Sequence, residues 1–143
     1  MTTHLSILLI EDSPGERELF RLALVQTGLD VTLCTEQDAE TAFHFLNTHS
    51  DLPSLILLDW NLGKQRGDEF LKRLRADSRL AAIPVVVFTT SDDASDLSLA
   101  YANGANGYVV KPGTFAELIQ CTTDICRYWL ERNRVPHMVG TPC

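Results

Sequence analysis

Short runs of apolar residues alternate along this chain with longer segments of helical period. The apolar runs predict five strands, which are Leu5 to Ile10, Val31 to Cys34, Leu55 to Leu58, Pro84 to Phe88 and Tyr108 to Val110. The periodic segments predict five helices, which are Pro14 to Gln26, Asp38 to Asn47, Asp68 to Ala76, Ala94 to Ala102 and Thr114 to about Glu131. Apolar strands must be covered on both faces, and short crossovers between parallel strands are right-handed. The sequence therefore predicts a doubly wound α/β fold, with a parallel sheet between two layers of helices.

The first and last helices carry specific sequence signals. Ser13 can cap the first helix, Pro14 suits its first position, and Glu16 is expected to complete a capping box. Gly28 is expected to end that helix. The last helix has an apolar stripe that is expected to pack on the sheet, formed by Phe115, Leu118, Ile119, Thr122, Ile125, Cys126, Trp129 and Leu130.

Length, charge and cysteine content narrow the class of protein. A chain of 143 residues allows one domain, and its formal net charge of −7 repels nucleic acids and anionic lipids. No apolar run approaches the ~20 residues of a membrane span, and the N-terminus lacks the features of a signal peptide. The cysteines have no zinc-ligand spacing and are interpreted as reduced thiols, with Cys34 and Cys126 in the core. We therefore expect a cytoplasmic protein with no direct nucleic-acid or membrane partner.

Polar side chains follow the predicted strands. These residues are Glu11, Asp12, Asp59, Thr89, Thr90 and Lys111. In a doubly wound fold they meet in the crevice beyond the carboxyl ends of the strands. Carboxylates brought together there require a raised pKa or a cation, and hard oxygen ligands select Mg²⁺. The alternative for Glu11 and Asp12 is a solvated turn before a helix, and Asp59 could instead cap a turn.

The loop after the first strand distinguishes between two functions of such a fold, cofactor binding and phosphoryl transfer. Nucleotide and flavin sites need a Gly-rich or hydroxyl-rich loop that presents backbone N–H groups to phosphate. The segment Glu11-Asp12-Ser13-Pro14 instead repels a phosphate unless a metal ion bridges them. An acid beside Mg²⁺ can act as a nucleophile and carry an aspartyl phosphate, so the sequence favours phosphoryl transfer.

Four motifs stand in order at the predicted strand ends. They are Ile10-Glu11-Asp12-Ser13, Leu57-Leu58-Asp59-Trp60-Asn61-Leu62, Val86-Val87-Phe88-Thr89-Thr90 and Gly104-Ala105-Asn106-Gly107-Tyr108-Val109-Val110-Lys111-Pro112. Together they resemble the receiver domains of two-component response regulators, the chemotaxis regulators included, over essentially Leu5 to Leu130. The resemblance implies a flavodoxin-like (βα)5 three-layer sandwich and a signalling switch phosphorylated by a sensor histidine kinase.

The resemblance assigns roles to the residues at the strand ends. It implies that Asp59 is the phosphoacceptor and that Mg²⁺ is bound by Asp12, Asp59 and the backbone carbonyl of Asn61. Glu11 would contribute through a metal-bound water, and Lys111 would pair with a phosphoryl oxygen. Positioning and charge neutralisation of this kind account for most of the catalysis in phosphoryl transfer.

The resemblance also names switch residues. Thr89 would donate its hydroxyl to the phosphoryl group, while the ring of Tyr108 turns inward and alters the face of the fourth helix, fifth strand and fifth helix. Plain packing is the alternative for Tyr108. Asn61 and Ser91 occupy positions that tune dephosphorylation rates, and the Lys111-Pro112 peptide bond is usually cis in the family.

The C-terminal part resembles the single-domain regulators that work with bacterial phytochromes. The similar features are the aromatic segment Tyr128-Trp129-Leu130 and the following Val135-Pro136. They imply a receiver domain over residues 1–131, an extension over 132–143, a symmetric homodimer and a bacteriophytochrome kinase as partner. The alternative is a helix end whose Trp129 and Leu130 cover the sheet.

Two other functions remain as alternatives. A phosphatase of the aspartyl-phosphate class needs a general acid two residues after the nucleophile, where this chain has Asn61. A receiver-like docking or dimerisation module that is never phosphorylated normally lacks an acid or the lysine, and both are present here. Trp60, beside the acceptor, is interpreted either as part of the surface a kinase contacts or as a packing residue. The loop from Gly63 to Gly67 lacks the proline usual in the family, which leaves its geometry open.

Overall fold

Five parallel strands form a central sheet in the computed structural model, which describes residues 5–63 and 65–136. In chain order the strands of the molecule are β1 Ser6–Ile10, β2 Thr32–Glu36, β3 Leu55–Leu58, β4 Asn61–Leu62, β5 Gln65–Arg66, β6 Val85–Thr89 and β7 Gly107–Val110. The sheet has the order β2-β1-β3-β6-β7, with every pairing parallel. The predicted doubly wound parallel sheet is therefore confirmed.

Helices cover both faces of this sheet. They are α1 Pro14–Gln26, α2 Ala39–Thr48, α3 Gly67–Ala76, α4 Ala94–Ala102 and α5 Phe115–Cys126, followed by a π-helical segment, Arg127–Arg132. Side chains alternate along the strands, so that in β1 Leu8 and Ile10 join the core under α2, α3 and α4, while Ile7 and Leu9 join the core under α1 and α5. The result is the predicted three-layer sandwich. Within the described residues, no helix is long and apolar enough to cross a membrane.

Two elements differ from the sequence prediction. The strands β4 and β5 form an antiparallel hairpin that the sequence did not reveal, because two residues per strand are too few for a periodic signal. The last helix was expected to reach about Glu131, but its α-helical part ends at Cys126 and the chain continues as the π-helical segment. In that segment the ring of Trp129 lies so close to Gly107 that a Cβ there would sit 3.2 Å from Trp129 Cζ2.

The start of α1 is capped in a different way from the prediction. Ser13 does cap the helix, since its hydroxyl accepts from Glu16 N at 3.3 Å. The reciprocal bond of the capping box is not made by Glu16, because Ser13 N donates to Glu11 Oε2 at 3.1 Å. The expectation that Glu16 completes the capping box is therefore wrong. The Glu11 carboxylate accepts the hydrogen bond from Ser13 N instead. At the other end Gly28 adopts φ +72°, as expected for a residue that ends a helix.

The interpretation of two cysteines as core residues agrees with the structure. Cys126 is buried in the cluster under α1 and α5, and burial raises the pKa of its thiol to about 11. Cys34 is partly buried against the opposite cluster. Both thiols are free, which fits a packing role.

Candidate functional site

The register of the parallel strands brings two acidic segments to one edge of the sheet. β1 ends at Ile10 and β3 ends at Leu58, and these two residues are paired in the ladder. Asp59 N donates to Ile10 O at 3.0 Å, so Asp59 lies directly beside the segment that carries Glu11. The adjacency is a consequence of strand pairing and needs no special loop.

Three carboxylates converge at this edge. Glu11, Asp12 and Asp59 each offer one oxygen, and the three oxygens lie within 4.8 Å of one another. Glu11 and Asp59 are only 3% and 8% exposed, whereas Asp12 is exposed. Buried carboxylates at this spacing repel one another, and a hard divalent cation bound by oxygen ligands relieves the repulsion. The donor set fits such an ion, with the exposed side of Asp12 leaving room for water ligands.

Lys111 supplies a positive charge to the same cluster. Its Nζ donates to Glu11 Oε1 at 2.5 Å and lies 3.6 Å from Asp59 Oδ2 and 3.8 Å from Glu16 Oε2. Burial disfavours the charged amine, but the hydrogen bond to Glu11 and the charges of the acids outweigh burial and raise the pKa of Lys111. Lys111 N also donates to Thr89 O at 2.8 Å, which holds the end of β7 against the end of β6. Lys111 is therefore fixed in the crevice and stays protonated.

Glu11 has the most unusual environment of the three acids. Burial raises the pKa of Glu11 to about 7, although hydrogen bonds from Lys111 and from Ser13 N act in the opposite direction. The carbonyl of Glu11 accepts from Arg17 Nη1 at 2.7 Å, and Glu11 N donates to Glu36 O at 2.9 Å. These contacts hold the backbone of Glu11 in place, so its carboxylate is directed at Lys111.

Hydrogen bonds of three residues connect β6, the loop that follows it and β7. Thr89 is fully buried and its hydroxyl accepts from Ser91 N at 3.3 Å. The hydroxyl of Tyr108 donates to Ser91 O at 2.9 Å, and its ring is partly buried against the core under α2, α3 and α4. The expected switch pair Thr89 and Tyr108 therefore meets at one residue, Ser91.

The family of response regulator receiver domains matches residues 7–123 of this chain. The chain belongs to this family. The response regulator Rcp1 of Synechocystis sp. is 35% identical over 135 residues, which cover 91% of this chain and 92% of Rcp1. The probable methanogenesis regulatory protein FilR2 of Methanothrix harundinacea is 38% identical over 134 residues, covering 91% of this chain and 86% of FilR2.

Solved structures agree with this assignment. The phosphorylated cyanobacterial phytochrome response regulator RcpA superposes with a TM-score of 0.85 at 31% identity, covering 94% of this chain and all of RcpA. The Mn²⁺-bound form of Rcp1 superposes with a TM-score of 0.80 at 34% identity, covering 93% of this chain and 99% of Rcp1. The flavodoxin-like fold implied by the resemblance is confirmed.

Asn61 lies at the mouth of the receiver-domain site. Its backbone N donates to Asp59 Oδ1 at 3.3 Å, and its side chain is exposed. It opens the β4–β5 hairpin, whose turn carries Gly63 at φ +64°. A Cβ on Gly63 would lie 3.7 Å from Asp12 Oδ2, so the turn passes beside the acidic cluster. Lys64, in the same loop, lies outside the described residues.

The peptide bond between Lys111 and Pro112 departs from the family expectation. The resemblance implies a cis bond, but the described residues contain no cis peptide bond, so this bond is trans. The trans isomer of an X-Pro bond is favoured by about 0.5–1 kcal/mol. Lys111 nevertheless reaches Glu11 and Asp59.

Trp60 is a packing residue of the receiver domain. Its side chain is fully buried, so the suggestion that it forms part of a kinase-contacting surface is wrong. The physical reason is α3, which begins at Gly67 with so little space that a Cβ there would meet Trp60 Cε3 at 2.9 Å. The indole Nε1 donates to Asp96 Oδ1 at 3.1 Å. Sequence reasoning did not single out Asp96, which looks like an ordinary exposed acid at the start of a helix.

The three expected partner-surface residues differ in exposure. Tyr128 is 53% exposed, whereas Trp129 and Leu130 are partly buried against the core under α1 and α5. The latter two therefore cover their own domain, as the alternative interpretation held. Residues 137–143 of the expected extension lie outside the described residues.

Proposed function

We propose that this receiver domain acts as a single-domain response regulator that accepts a phosphoryl group from a sensor histidine kinase on Asp59. The observation that carries the proposal is the position of Asp59, nearly buried, with Lys111 Nζ 3.6 Å from Oδ2 and two further acids around it. A carboxylate oxygen of Asp59 attacks phosphorus, and the bond from phosphorus to the donor breaks with its electron pair leaving on the donor.

The proposed cofactor is Mg²⁺. Asp12, Asp59 and the backbone carbonyl of Asn61 would hold it, with Glu11 acting through a bound water. Support comes from the spacing of the three carboxylates and from the oxygen-only donor set. When bound, the ion neutralises charge that develops on the transferring phosphoryl group.

Lys111, Thr89 and Tyr108 complete the proposed mechanism. Lys111 would transfer its ion pairing from Glu11 and Asp59 to a phosphoryl oxygen, and the Thr89 hydroxyl would donate to another. Tyr108 would follow as its bond to Ser91 changes, which alters the face of α4, β7 and α5. Asn61 and Ser91, each two residues beyond Asp59 and Thr89, would tune the lifetime of the phosphate. We propose no turnover of a separate substrate, since the protein modifies and restores its own carboxylate.

The proposed kinase partner is a bacteriophytochrome. The support is the likeness to RcpA, a cyanobacterial phytochrome response regulator, and to the bacteriophytochrome response regulator RtBRR, which is 33% identical with a TM-score of 0.72. A cytoplasmic location follows from this partnership and is also supported by the free thiols of Cys34, Cys121 and Cys126.

Removal of the metal provides the test of the proposed function. Wild-type protein incubated with acetyl phosphate and Mg²⁺ is expected to gain one phosphoryl group in intact-mass measurements. In EDTA the rate of uptake is expected to fall by at least about 100-fold, because nothing then neutralises the approaching phosphate beside three acids. Equal uptake with and without Mg²⁺ would contradict the metal site. No uptake under any condition would favour the non-phosphorylated docking module.

The domain division and the dimer are proposed together. We propose a receiver domain over residues 1–131, an extension over 132–143, and a symmetric homodimer formed by the face of α4, β7, α5 and the π-helical segment together with the extension. Support comes from large apolar side chains exposed on this face, which are Leu97, Tyr101, Val110 and Tyr128.

Truncation after Glu131 tests the contribution of the extension. The dimer dissociation constant from sedimentation velocity is expected to rise by about tenfold, equivalent to ~1.4 kcal/mol of lost contacts. Val25→Ser is the control, because Val25 is an exposed apolar residue, 62% exposed, on α1, which is not one of the elements of the proposed interface. An unchanged sedimentation profile after truncation would remove the extension from the interface.

A further inference from the structure

One carboxylate on α4 binds two segments that follow strand ends. Asp96 Oδ1 accepts from Trp60 Nε1 at 3.1 Å, and Asp96 Oδ2 accepts from the Ser91 hydroxyl at 2.7 Å. Trp60 comes directly after Asp59, and Ser91 lies in the loop between β6 and α4. A single side chain on the first turn of α4 therefore links the segment after β3 to the loop after β6.

The contact to Trp60 is not an incidental surface bond. The indole is fully buried, and a buried N–H without a partner is costly, so Trp60 holds Asp96 in place as firmly as Asp96 holds Trp60. Hydrogen bonds to a charged acceptor are stronger than neutral ones. The carboxylate of Asp96 is thus anchored to the core on one side, which leaves its other oxygen directed at Ser91.

Ser91 is the residue at which this anchor meets the switch pair. Ser91 N donates to Thr89 Oγ1, Ser91 O accepts from Tyr108, and the Ser91 hydroxyl donates to Asp96. If Thr89 moves toward a phosphoryl oxygen, its geometry to Ser91 N must change. Movement of Ser91 in turn strains the bond to Asp96, because that carboxylate is fixed by the indole.

We propose that Asp96 is a positioning residue that holds the loop after β6 and the start of α4 in the unphosphorylated arrangement by binding Trp60 and Ser91 together. The inference rests on the proposed phosphorylation of Asp59. Phosphorylation then breaks the bond between Asp96 and Ser91 before α4 moves, and the loss of that bond opposes the gain from the phosphoryl contacts. A ligand shifts such an equilibrium only by its difference in affinity for the two states.

The test measures binding of beryllofluoride, a mimic of the phosphoryl group, in the presence of Mg²⁺. A Trp129→Phe background leaves Trp60 as the single tryptophan, so its fluorescence reports the indole environment. Asp96→Ala is expected to bind beryllofluoride about fivefold to tenfold more tightly, because the unliganded state has lost a hydrogen bond to a charged group. The change in Trp60 emission on binding is expected to shrink, since the indole has no carboxylate partner in either state.

Two variants separate this role from a general charge effect. Asp93→Asn removes a charge from the same turn and keeps a good helix cap, since the Asp93 carboxylate accepts from Ser95. We expect its affinity for beryllofluoride to stay within about twofold of the wild type. Asp96→Asn retains an oxygen that accepts from the indole, and its amide N–H can donate to the Ser91 hydroxyl oxygen, which reverses the direction of that bond but keeps the link. It is therefore expected to restore most of the wild-type behaviour.

A double-mutant cycle identifies the bond itself. Ser91→Ala removes the same hydrogen bond from its other end and is expected to tighten binding in the same direction. The double variant Ser91→Ala, Asp96→Ala is expected to bind no more tightly than the tighter single variant, because the bond is removed only once. Ser91→Ala also serves where Asp96→Ala lowers the thermal melting temperature too far for binding assays.

The outcomes are distinguishable. Wild-type affinity and an unchanged Trp60 response in both Asp96→Ala and Ser91→Ala would overturn the positioning role while leaving the proposed function intact. An effect of Asp93→Asn equal to that of Asp96→Ala would also overturn it, in favour of plain charge removal. Failure of the wild-type protein itself to bind beryllofluoride would contradict the proposed function, and the positioning role with it.

Discussion

Replacing Asp59 with asparagine is expected to abolish phosphoryl uptake while the domain stays folded. Asparagine has nearly the same shape as aspartate but lacks the nucleophilic carboxylate oxygen, so no acyl phosphate forms. The Asp59 side chain is nearly buried, and Lys111 Nζ lies 3.6 Å from its Oδ2. An amide oxygen in its place can keep the contact from Asn61 N. We therefore expect complete loss of the phosphorylated species.

The stability of the Asp59→Asn variant is expected to change little, by about 1 kcal/mol or less. Removal of one carboxylate relieves repulsion with Glu11, whose pKa it helps to raise, but it also removes an ion-pair partner of Lys111. Intact mass after treatment with acetyl phosphate and a thermal melt measure the two effects. Asp51→Asn, an exposed acid before β3, is the matched control and should take up phosphate at the wild-type rate. A labile phosphate on the Asp59→Asn protein would identify another acceptor.

Replacing Lys111 with alanine is expected to slow phosphoryl uptake by about 100-fold or more. The amine is the one side-chain cation within 4.0 Å of Asp59 among the described residues. Loss of a single preorganised partner for transition-state charge typically lowers rates by about 100- to 1,000-fold. The rate of mass gain with acetyl phosphate measures this effect. Lys72→Ala, at an exposed position on α3, is the matched control.

The same variant is expected to show a pH-dependent loss of stability. Without Lys111, Glu11 loses the hydrogen bond and the charge that lower its pKa, so that pKa rises further above its present value of about 7. Since the folded pKa then lies above the unfolded one, the contribution of Glu11 is greatest at low pH and is lost as the pH rises through the folded value. We expect a loss of about 1–3 kcal/mol at pH 8 and less at pH 6.

Thermal melts at pH 6 and pH 8 test whether the loss of stability is larger at the higher pH. Wild-type protein and Lys72→Ala provide the reference at each pH, because changes elsewhere in the molecule affect all three proteins alike. An equal loss of stability at the two pH values would mean that Glu11 finds another partner in the variant. Phosphoryl uptake by the Lys111→Ala variant at the wild-type rate would contradict the proposed role of the amine.

The position of the functional edge is a property of the sequence. Each apolar run is one strand long, and parallel strands built from such runs must end at the same side of the sheet. The sequence therefore predicts that Glu11, Asp59 and Lys111 lie together, although 100 residues separate Glu11 from Lys111 along the chain. Local signals also predicted that Ser13 caps α1 and that Gly28 ends it.

Several features depended on tertiary contacts and left no periodic or motif signal. The choice of Glu11 instead of Glu16 as the partner of Ser13 N follows from the docking of β1 against β2 and of Lys111 against Glu11. The burial of Trp60 follows from the close approach of Gly67.

The carboxylate of α4 that binds Trp60 is the clearest example of a feature that only the tertiary structure determines. Asp92, Asp93 and Asp96 are all acids near the start of that helix, and the sequence offers no ground for preferring one of them. Only the packing of α4 beside the segment between β3 and β4 brings the Asp96 carboxylate, 36 residues away, to the indole N–H of Trp60. The pattern of apolar residues along the chain determines which residues end a strand. A hydrogen bond between distant side chains requires their positions to be set to within a few tenths of an ångström, and only the packed structure sets them.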